Sequence, residues 1–165
     1  MFNNFNHLWG VCVCGIAGYI LKRVINGPHP VSGALLAGIR RRGPDDEGVC
    51  LIDRSAQNPH FFSTERSHPS VAGSLPSWLN APVPHDTAFF HTRYSIIDTS
   101  VGGHQPFCRS DGSCVAVFNG EIYNYVELRE QLTVKGVNFR TSSDTEVLVE
   151  GYRFWKDELW SKLNG

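Results

Sequence analysis

No CxxC pair occurs in this sequence, although it holds five cysteines: Cys12, Cys14, Cys50, Cys108 and Cys114. Zinc sites and redox dithiols show tighter paired spacing, so the thiols read as reduced and the chain as cytoplasmic. Cys12-Val13-Cys14 is too weak a pattern to name a metal, and none is expected. A surplus of one charge is missing too: 15 Lys and Arg stand against 16 Asp and Glu, a formal net charge of -1. That balance gives no electrostatic case for nucleic acid or a membrane surface. No apolar run approaches the roughly 20 residues that a membrane span needs. Met1–Val13 lacks a basic start, a long apolar stretch and a small-x-small cleavage pattern, which argues against a secretory signal. There is no internal repeat and no low-complexity tract.

What is present is ordinary in bulk. The chain has 165 residues, 41% hydrophobic and 19% charged, which suits one soluble domain long enough to bury a core. Sixteen Gly and nine Pro imply many turns. Cys14–Leu21, with Ile16, Ala17, Tyr19 and Ile20, reads as a buried strand. Asn26-Gly27-Pro28 is a turn. Leu35, Leu36 and Ile39 share one face of a helix over Val31–Arg40, which ends in Arg40-Arg41-Arg42 before Gly43-Pro44. Val49–Ile52 is a short strand. Asp53–Thr87 carries Pro59, Pro69, Pro76, Pro82 and Pro84 and reads as a long loop or insertion. Ala88–His91 and Ser95–Ile97 read as strand or strand-edge segments. Cys114–Phe118 is another strand, followed by the turn Asn119-Gly120. A helix over Tyr125–Lys135 pairs Leu128 with Leu132 and stops at Gly136. Ser143-Asp144-Thr145-Glu146 matches a capping box. The helix after it puts Val147, Leu148, Gly151, Tyr152 and Trp155 on one face, and a last short helix covers Asp157–Leu163. The mixture of single strands and helices predicts an α+β or layered αββα domain.

Several segments are more specific than structure alone requires. Taken singly, each has a structural role available. Cys14 can be a small buried hydrophobe. Arg42–Gly48 can be a charged turn, and His91-Thr92-Arg93 a polar strand end. Asn119-Gly120 is a strong hairpin signal. Asp144 suits a helix N-terminus. Taken together they form a set of groups for hydrolysing an amide. A cysteine at a chain start supplies a thiol and an α-amine of pKa about 8 that can take the thiol proton. Asn119 and Gly120 offer a side-chain and a backbone N–H to a tetrahedral oxyanion. Arg93 can fork onto a carboxylate, and Glu121 or Asp144 can hold an ammonium. A free amino acid with a side-chain amide fits that set, and glutamine is the obvious one.

The segments CGIAGYI from Cys14, RGPDDEG from Arg42, HTRYSIID from His91, GHQP from Gly103, FNGEIYNY from Phe118 and SDTEVL from Ser143 occur in that order. In these the chain resembles the glutamine amidotransferase domain of glutamine-hydrolysing asparagine synthetases, which are class II, N-terminal-nucleophile enzymes. The resemblance covers most of Cys14–Gly165. It implies the four-layer αββα sandwich of N-terminal-nucleophile hydrolases. It implies that Cys14 is the nucleophile and forms a glutamyl thioester, and that Asn119 and Gly120 make the oxyanion hole. Arg93 would bind the substrate carboxylate, and Glu121 and Asp144 its ammonium. The Ser95–Ile97 backbone, Ile97 included, would line the pocket, and Arg42 and Asp45 would organise the loop beside the nucleophile. L-glutamine is the implied substrate. The released ammonia would pass to a synthetase domain, where ATP and Mg2+ activate aspartate; no cofactor is implied for this chain. A homodimer of a full-length protein is an assembly that the resemblance allows.

Three departures from the family pattern set further expectations. Met1–Val13 precedes the cysteine and is expected to be either a mis-assigned start at Val13 or a removed propeptide. The family's domain continues past Leu163-Asn164-Gly165, so residues 14–165 are expected to be a partial type-2 domain, marginally stable or aggregation-prone alone. Asp53–Thr87 is expected to be an insertion absent from compact relatives. The alternative to a glutaminase is a catalytically silent, truncated remnant or interaction module of the same family.

Overall fold

Short, largely apolar runs, Tyr19-Ile20-Leu21, Val49-Cys50-Leu51-Ile52 and Ala88-Phe89-Phe90, build the main sheet of this protein. Its computed structural model describes residues 13–165. The first strand, β1, runs Gly15–Asn26, longer than expected and starting just after Cys14. A turn with Gly27 at φ 77° leads to helix α1, Ser32–Ile39. Strands β2 (Asp46–Asp53) and β3 (Asn58–Phe62) form an antiparallel hairpin. Its turn is made by the Asp53 carboxylate, which accepts the Ser55 and Ala56 amides. A short helix α2 (Pro69–Ala72) and a 3-10 turn at Trp78–Asn80 lead into β4, Pro84–Arg93. The sheet order is β1-β4-β2-β3, antiparallel throughout.

The stretch from Asp53 to Thr87 is therefore not a bare loop. It contains β3, α2 and the start of β4. Its prolines misled because Pro59 sits on an edge strand and Pro84 opens a strand, the two places in a sheet where a missing N–H is tolerated.

Register puts Ala17, Phe90 and Val49 side by side, and likewise Tyr19, Ala88 and Leu51. These residues face α1, and Leu36, Phe62, Trp78 and Ala81 close the core around them. Burying a side chain such as Phe90 contributes about 1.5–3 kcal/mol. On the opposite face Ile16 and Ile20 remain exposed at 41% and 68%.

The rest of the chain joins helices by long loops and adds a small antiparallel pair, β5 (Phe107–Cys108) and β6 (Val115–Ala116). The strand expected over Cys114–Phe118 is cut to two residues, and Ser95–Ile97 is loop rather than strand. Helices α3 (Tyr125–Val134) and α4 (Asp144–Trp155) pack through Leu128, Leu132 and Val147. A 3-10 turn at Lys156–Glu158 and helix α5 (Leu159–Lys162) end the described chain. The capping box is half made. Ser143 accepts the Thr145 amide, but the Glu146 carboxylate accepts the Arg140 and Thr141 amides instead of turning back to Ser143. The mixed composition, with its antiparallel sheet, is α+β. Among the described residues no helix is long and apolar enough to cross a membrane.

Candidate active site

Three strand ends meet at one end of the sheet. Gly15 opens β1 opposite Thr92, and Asp46 opens β2 opposite Arg93, the last residue of β4. Cys14 is thereby laid beside Tyr94. Its sulfur accepts the Tyr94 amide N–H at 3.3 Å and, as a thiol, donates to the Tyr94 carbonyl at 3.6 Å. Burial pushes the Cys14 thiol above its ordinary pKa, and the Tyr94 backbone and the Arg93 charge do not cancel that push. The thiol is neutral near pH 7 and needs a base before it can attack. Among the described residues, the hydrogen-bond partners of the sulfur are the two backbone groups of Tyr94.

A cavity of about 270 Å³ lies in front of the sulfur. Its wall brings together Cys14, Arg93, Ile97, Asn119, Gly120, Glu121 and Asp144. These residues come from the start of β1, the end of β4 with its following loop, the loop before α3, and the first turn of α4. Ser95, expected on this wall with Ile97, lines a neighbouring cavity of about 160 Å³ instead; Ile96 takes its place.

Arg93 is 7% exposed, and its Nη1 donates to the Ser100 carbonyl at 2.6 Å. The guanidinium lies against Gly103 so closely that a Cβ there would fall 2.0 Å from Nη2, so a larger residue would have to displace the guanidinium. Asp98 sits next to it. Burial acts to raise the Asp98 carboxyl, but hydrogen bonds from Ser100 and Ser142 and the Arg93 charge hold it below its usual range. Asp144, the first residue of α4, accepts the Ile122 amide at 3.1 Å. Here burial wins, and the carboxyl is raised above its ordinary value. Asn119 and Gly120 are exposed to the cavity. A Cβ on Gly120 would stand 2.9 Å from the Phe118 ring.

Arg42 and Asp45 lie outside the wall and hold the main chain on both sides of the sulfur. Arg42 Nε donates to the Cys14 carbonyl at 3.0 Å. The Asp45 carboxylate accepts the Ser95 amide at 2.8 Å, and its own amide donates to the Arg93 carbonyl at 3.0 Å. Met1–Cys12 lies outside the described residues, so of the expected extension only Val13 is seen, on the cavity wall.

Sequence reasoning missed a polar layer behind the cavity. His104 Nδ1 meets the Asp46 carboxylate at 2.6 Å, whose other oxygen accepts the His68 and Glu47 amides. Burial would raise Asp46, but His104 and those amides outweigh it and hold the carboxyl low. His91 is fully buried, and burial drops its pKa to about 4. It is therefore neutral, and its Nε2–H donates to the Phe118 carbonyl at 3.1 Å. The signal available was the GHQP run at Gly103 and the inward positions of β4 that alternate with the core residues. Among the described residues no group of three or more His, Cys, Asp or Glu side chains could hold a metal ion.

Residues 76–165 match the family described as "Glutamine amidotransferase domain". The chain belongs to that family. The matched span includes Arg93, Asn119, Gly120, Glu121 and Asp144, whereas Cys14, Arg42 and Asp45 precede it. Among relatives, glutamine-hydrolyzing asparagine synthetase 1 of Bacillus subtilis (strain 168) is 49% identical over 90 residues, 50% of this chain and 14% of that protein. Glutamine-hydrolyzing asparagine synthetase 3 of the same strain is 28% identical over 156 residues, 93% of this chain and 20% of that protein. The isomerizing glutamine–fructose-6-phosphate aminotransferase of Agrobacterium fabrum (strain C58 / ATCC 33970) is 32% identical over 143 residues, 84% of this chain and 21% of that protein. This glutamine amidotransferase domain is of the asparagine-synthetase type. It spans a quarter or less of the length of these relatives.

Proposed function

We propose that the domain hydrolyses the side-chain amide of L-glutamine through a thioester on Cys14, within the four-layer αββα sandwich of N-terminal-nucleophile hydrolases. One observation carries this reading. Cys14, Arg93, Asn119, Gly120, Glu121 and Asp144, drawn from four separate parts of the chain, line one cavity. Arg93 takes the substrate α-carboxylate, and Glu121 and Asp144 take the α-ammonium. The substrate ammonium draws the raised Asp144 carboxyl back to its charged form. The Ile97 backbone lines the pocket, and Arg42 and Asp45 keep the loop and the nucleophile in place.

The thiol proton must go somewhere. Among the described residues the sulfur has backbone partners only, and the base in this proposal is the α-amine of Cys14 itself, in a form of the protein that begins at that residue. Sulfur attacks the amide carbon while the amine takes the proton. The carbonyl becomes an oxyanion held by Asn119 Nδ2 and the Gly120 N–H. Collapse of the intermediate breaks the C–N bond, and the amine returns its proton to the departing nitrogen, which leaves as ammonia. Water, deprotonated by the same amine, attacks the thioester; glutamate leaves and the thiol is restored.

The ammonia is destined for the ATP-dependent amidation of aspartate in a synthetase domain, to which ATP and Mg2+ belong; this half-reaction uses no cofactor. In that larger protein, pairing into a homodimer is part of the proposal, as is a cytoplasmic setting. Residues 53–87 are proposed as an insertion relative to compact members.

A second reading rests on Val13. The peptide bond from Val13 to Cys14 ties up the amine, and a protein that keeps it is a silent remnant or interaction module. Glutamate release from a form beginning at Cys14 and from one beginning at Met1 separates the two. Release by the first alone supports both the chemistry and the need for a free amine. Full activity of the second removes the amine as base, and silence of both leaves the remnant.

A further inference from the structure

We infer that Gln105 is a positioning residue for the Asn119–Gly120 pair, an inference that rests on the glutaminase reading. Gln105 is 6% exposed and its side-chain amide is used at both ends. Oε1 accepts the Phe118 amide N–H at 2.6 Å, and Nε2 donates to the Phe118 carbonyl at 3.2 Å. One side chain thus clasps both backbone groups of one residue, as a neighbouring strand would, at a place where the chain is not in a strand. The orientation of the amide is settled by its partners, because a flipped group would face donor with donor and acceptor with acceptor.

The clasped residue directly precedes Asn119. The Phe118 carbonyl and the Asn119 N and Cα lie in one planar peptide unit, so fixing the carbonyl fixes where Asn119 starts. The buried His91 Nε2–H holds the same carbonyl at 3.1 Å. The Asn119 side chain and the Gly120 N–H are then only a few rotatable bonds from a backbone anchored at three points. Gln105 Nε2 also reaches Thr145 Oγ1 at 3.3 Å, next to Asp144. The oxyanion end of the cavity is thereby tied to its ammonium end. Close approach makes the clasp feasible: a Cβ on Gly48 would stand 2.1 Å from the Gln105 carbonyl oxygen.

Gln105 lines the same cavity, but both ends of its amide are taken by Phe118 and Thr145, so its role is to hold oxyanion donors rather than to bind substrate. Its loss should therefore lower turnover while sparing steps that form no oxyanion. The test uses the otherwise full-length protein with Cys14 as first residue, comparing wild type with Gln105→Ala and Gln105→Glu. In Gln105→Ala, kcat for glutamine hydrolysis falls about tenfold to hundredfold while KM stays within about threefold. The rate of Cys14 alkylation by iodoacetamide, a displacement with no oxyanion, stays within about twofold. Inhibition by an aldehyde isostere of glutamine, whose hemithioacetal places an oxyanion on the same donors, weakens in step with kcat. Hydrogen exchange at the Phe118 amide speeds up at least tenfold. Gln105→Glu keeps an acceptor for that amide but loses the donor to the carbonyl, so it keeps exchange protection and still loses turnover. An unchanged kcat in Gln105→Ala overturns the inference, and so does a loss shared equally by kcat, alkylation and thermal midpoint. A wild-type protein without glutaminase activity overturns the functional reading instead. In that case faster Phe118 exchange in Gln105→Ala still supports the clasp, and unchanged exchange overturns it.

Discussion

The middle and the end of the same strands are equally buried but chemically opposite. Phe90 and Thr92, two residues apart on β4, are both fully buried, and so nearly are Leu51 and Glu47 on β2, at 2% each. In the middle, Phe90, Val49 and Leu51 pack on α1 and need only shape. At the end, every group needs a named partner. Thr92 donates to the Ile39 carbonyl, closing the end of α1; Glu47 accepts from Thr64 and Arg40; Arg93 is held by Ser100. Unpartnered polar burial costs about 1–3 kcal/mol per group, a cost these contacts avert, although the buried His91 Nδ1 has no hydrogen-bond partner among the described residues. The difference teaches where to look for chemistry: depth alone does not mark a core.

Substitutions and pH can break this comparison from either side. The largest effect is at the end of the strands. Cys14→Ala abolishes glutamate release while leaving the thermal midpoint near that of wild type, since it removes a single sulfur atom whose described hydrogen bonds are to the Tyr94 backbone; both are read on the form beginning at Cys14. Phe90→Ala does the reverse in the middle, costing about 3–5 kcal/mol of stability in denaturant titration. A protein that tolerated it would show that the sheet core is not where stability resides.

The next effect comes from His91. Its folded pKa is about 4, below the ordinary 6.5, so the unfolded state binds the proton more tightly. Stability from this residue is complete above pH 6.5 and is lost as pH falls toward 4, by about 3 kcal/mol in all. His91→Gln, measured by unfolding at several pH values, should flatten that slope. Asp46 and Asp98, held low, lose their contributions only below the usual carboxylate range.

The smallest effect on stability is at Asp144, whose raised pKa has the opposite sign. Its contribution is present when protonated and is lost as pH rises through the folded value. Asp144→Asn should therefore leave stability at neutral pH equal or slightly higher, while KM for glutamine rises about tenfold or more through the lost charge. A stability loss would mean that the carboxylate serves the fold rather than the substrate.

Much of this was legible in the sequence where periodicity or motif order carried it. Leu35, Leu36 and Ile39 announced α1, and the ordered motifs announced the residues that line the cavity. Strand lengths were not legible. β3 hides behind Pro59 because edge strands tolerate what central ones do not. Glu146 has the spacing of a capping box, but the neighbouring Arg140 and Thr141 amides claim it, a tertiary preference that local pattern cannot carry. Gln105 and His91 escaped for a similar reason. Each acts on the backbone of Phe118, and a contact with a peptide group leaves no mark on the identity of the residue it touches.

The position of Val13 has a consequence in space as well as in proton chemistry. It forms part of the wall in front of the sulfur. A chain that starts at Cys14 loses that part of the wall beside the proposed nucleophile. On the proposed mechanism, the residue that masks the base also takes up room beside the nucleophile.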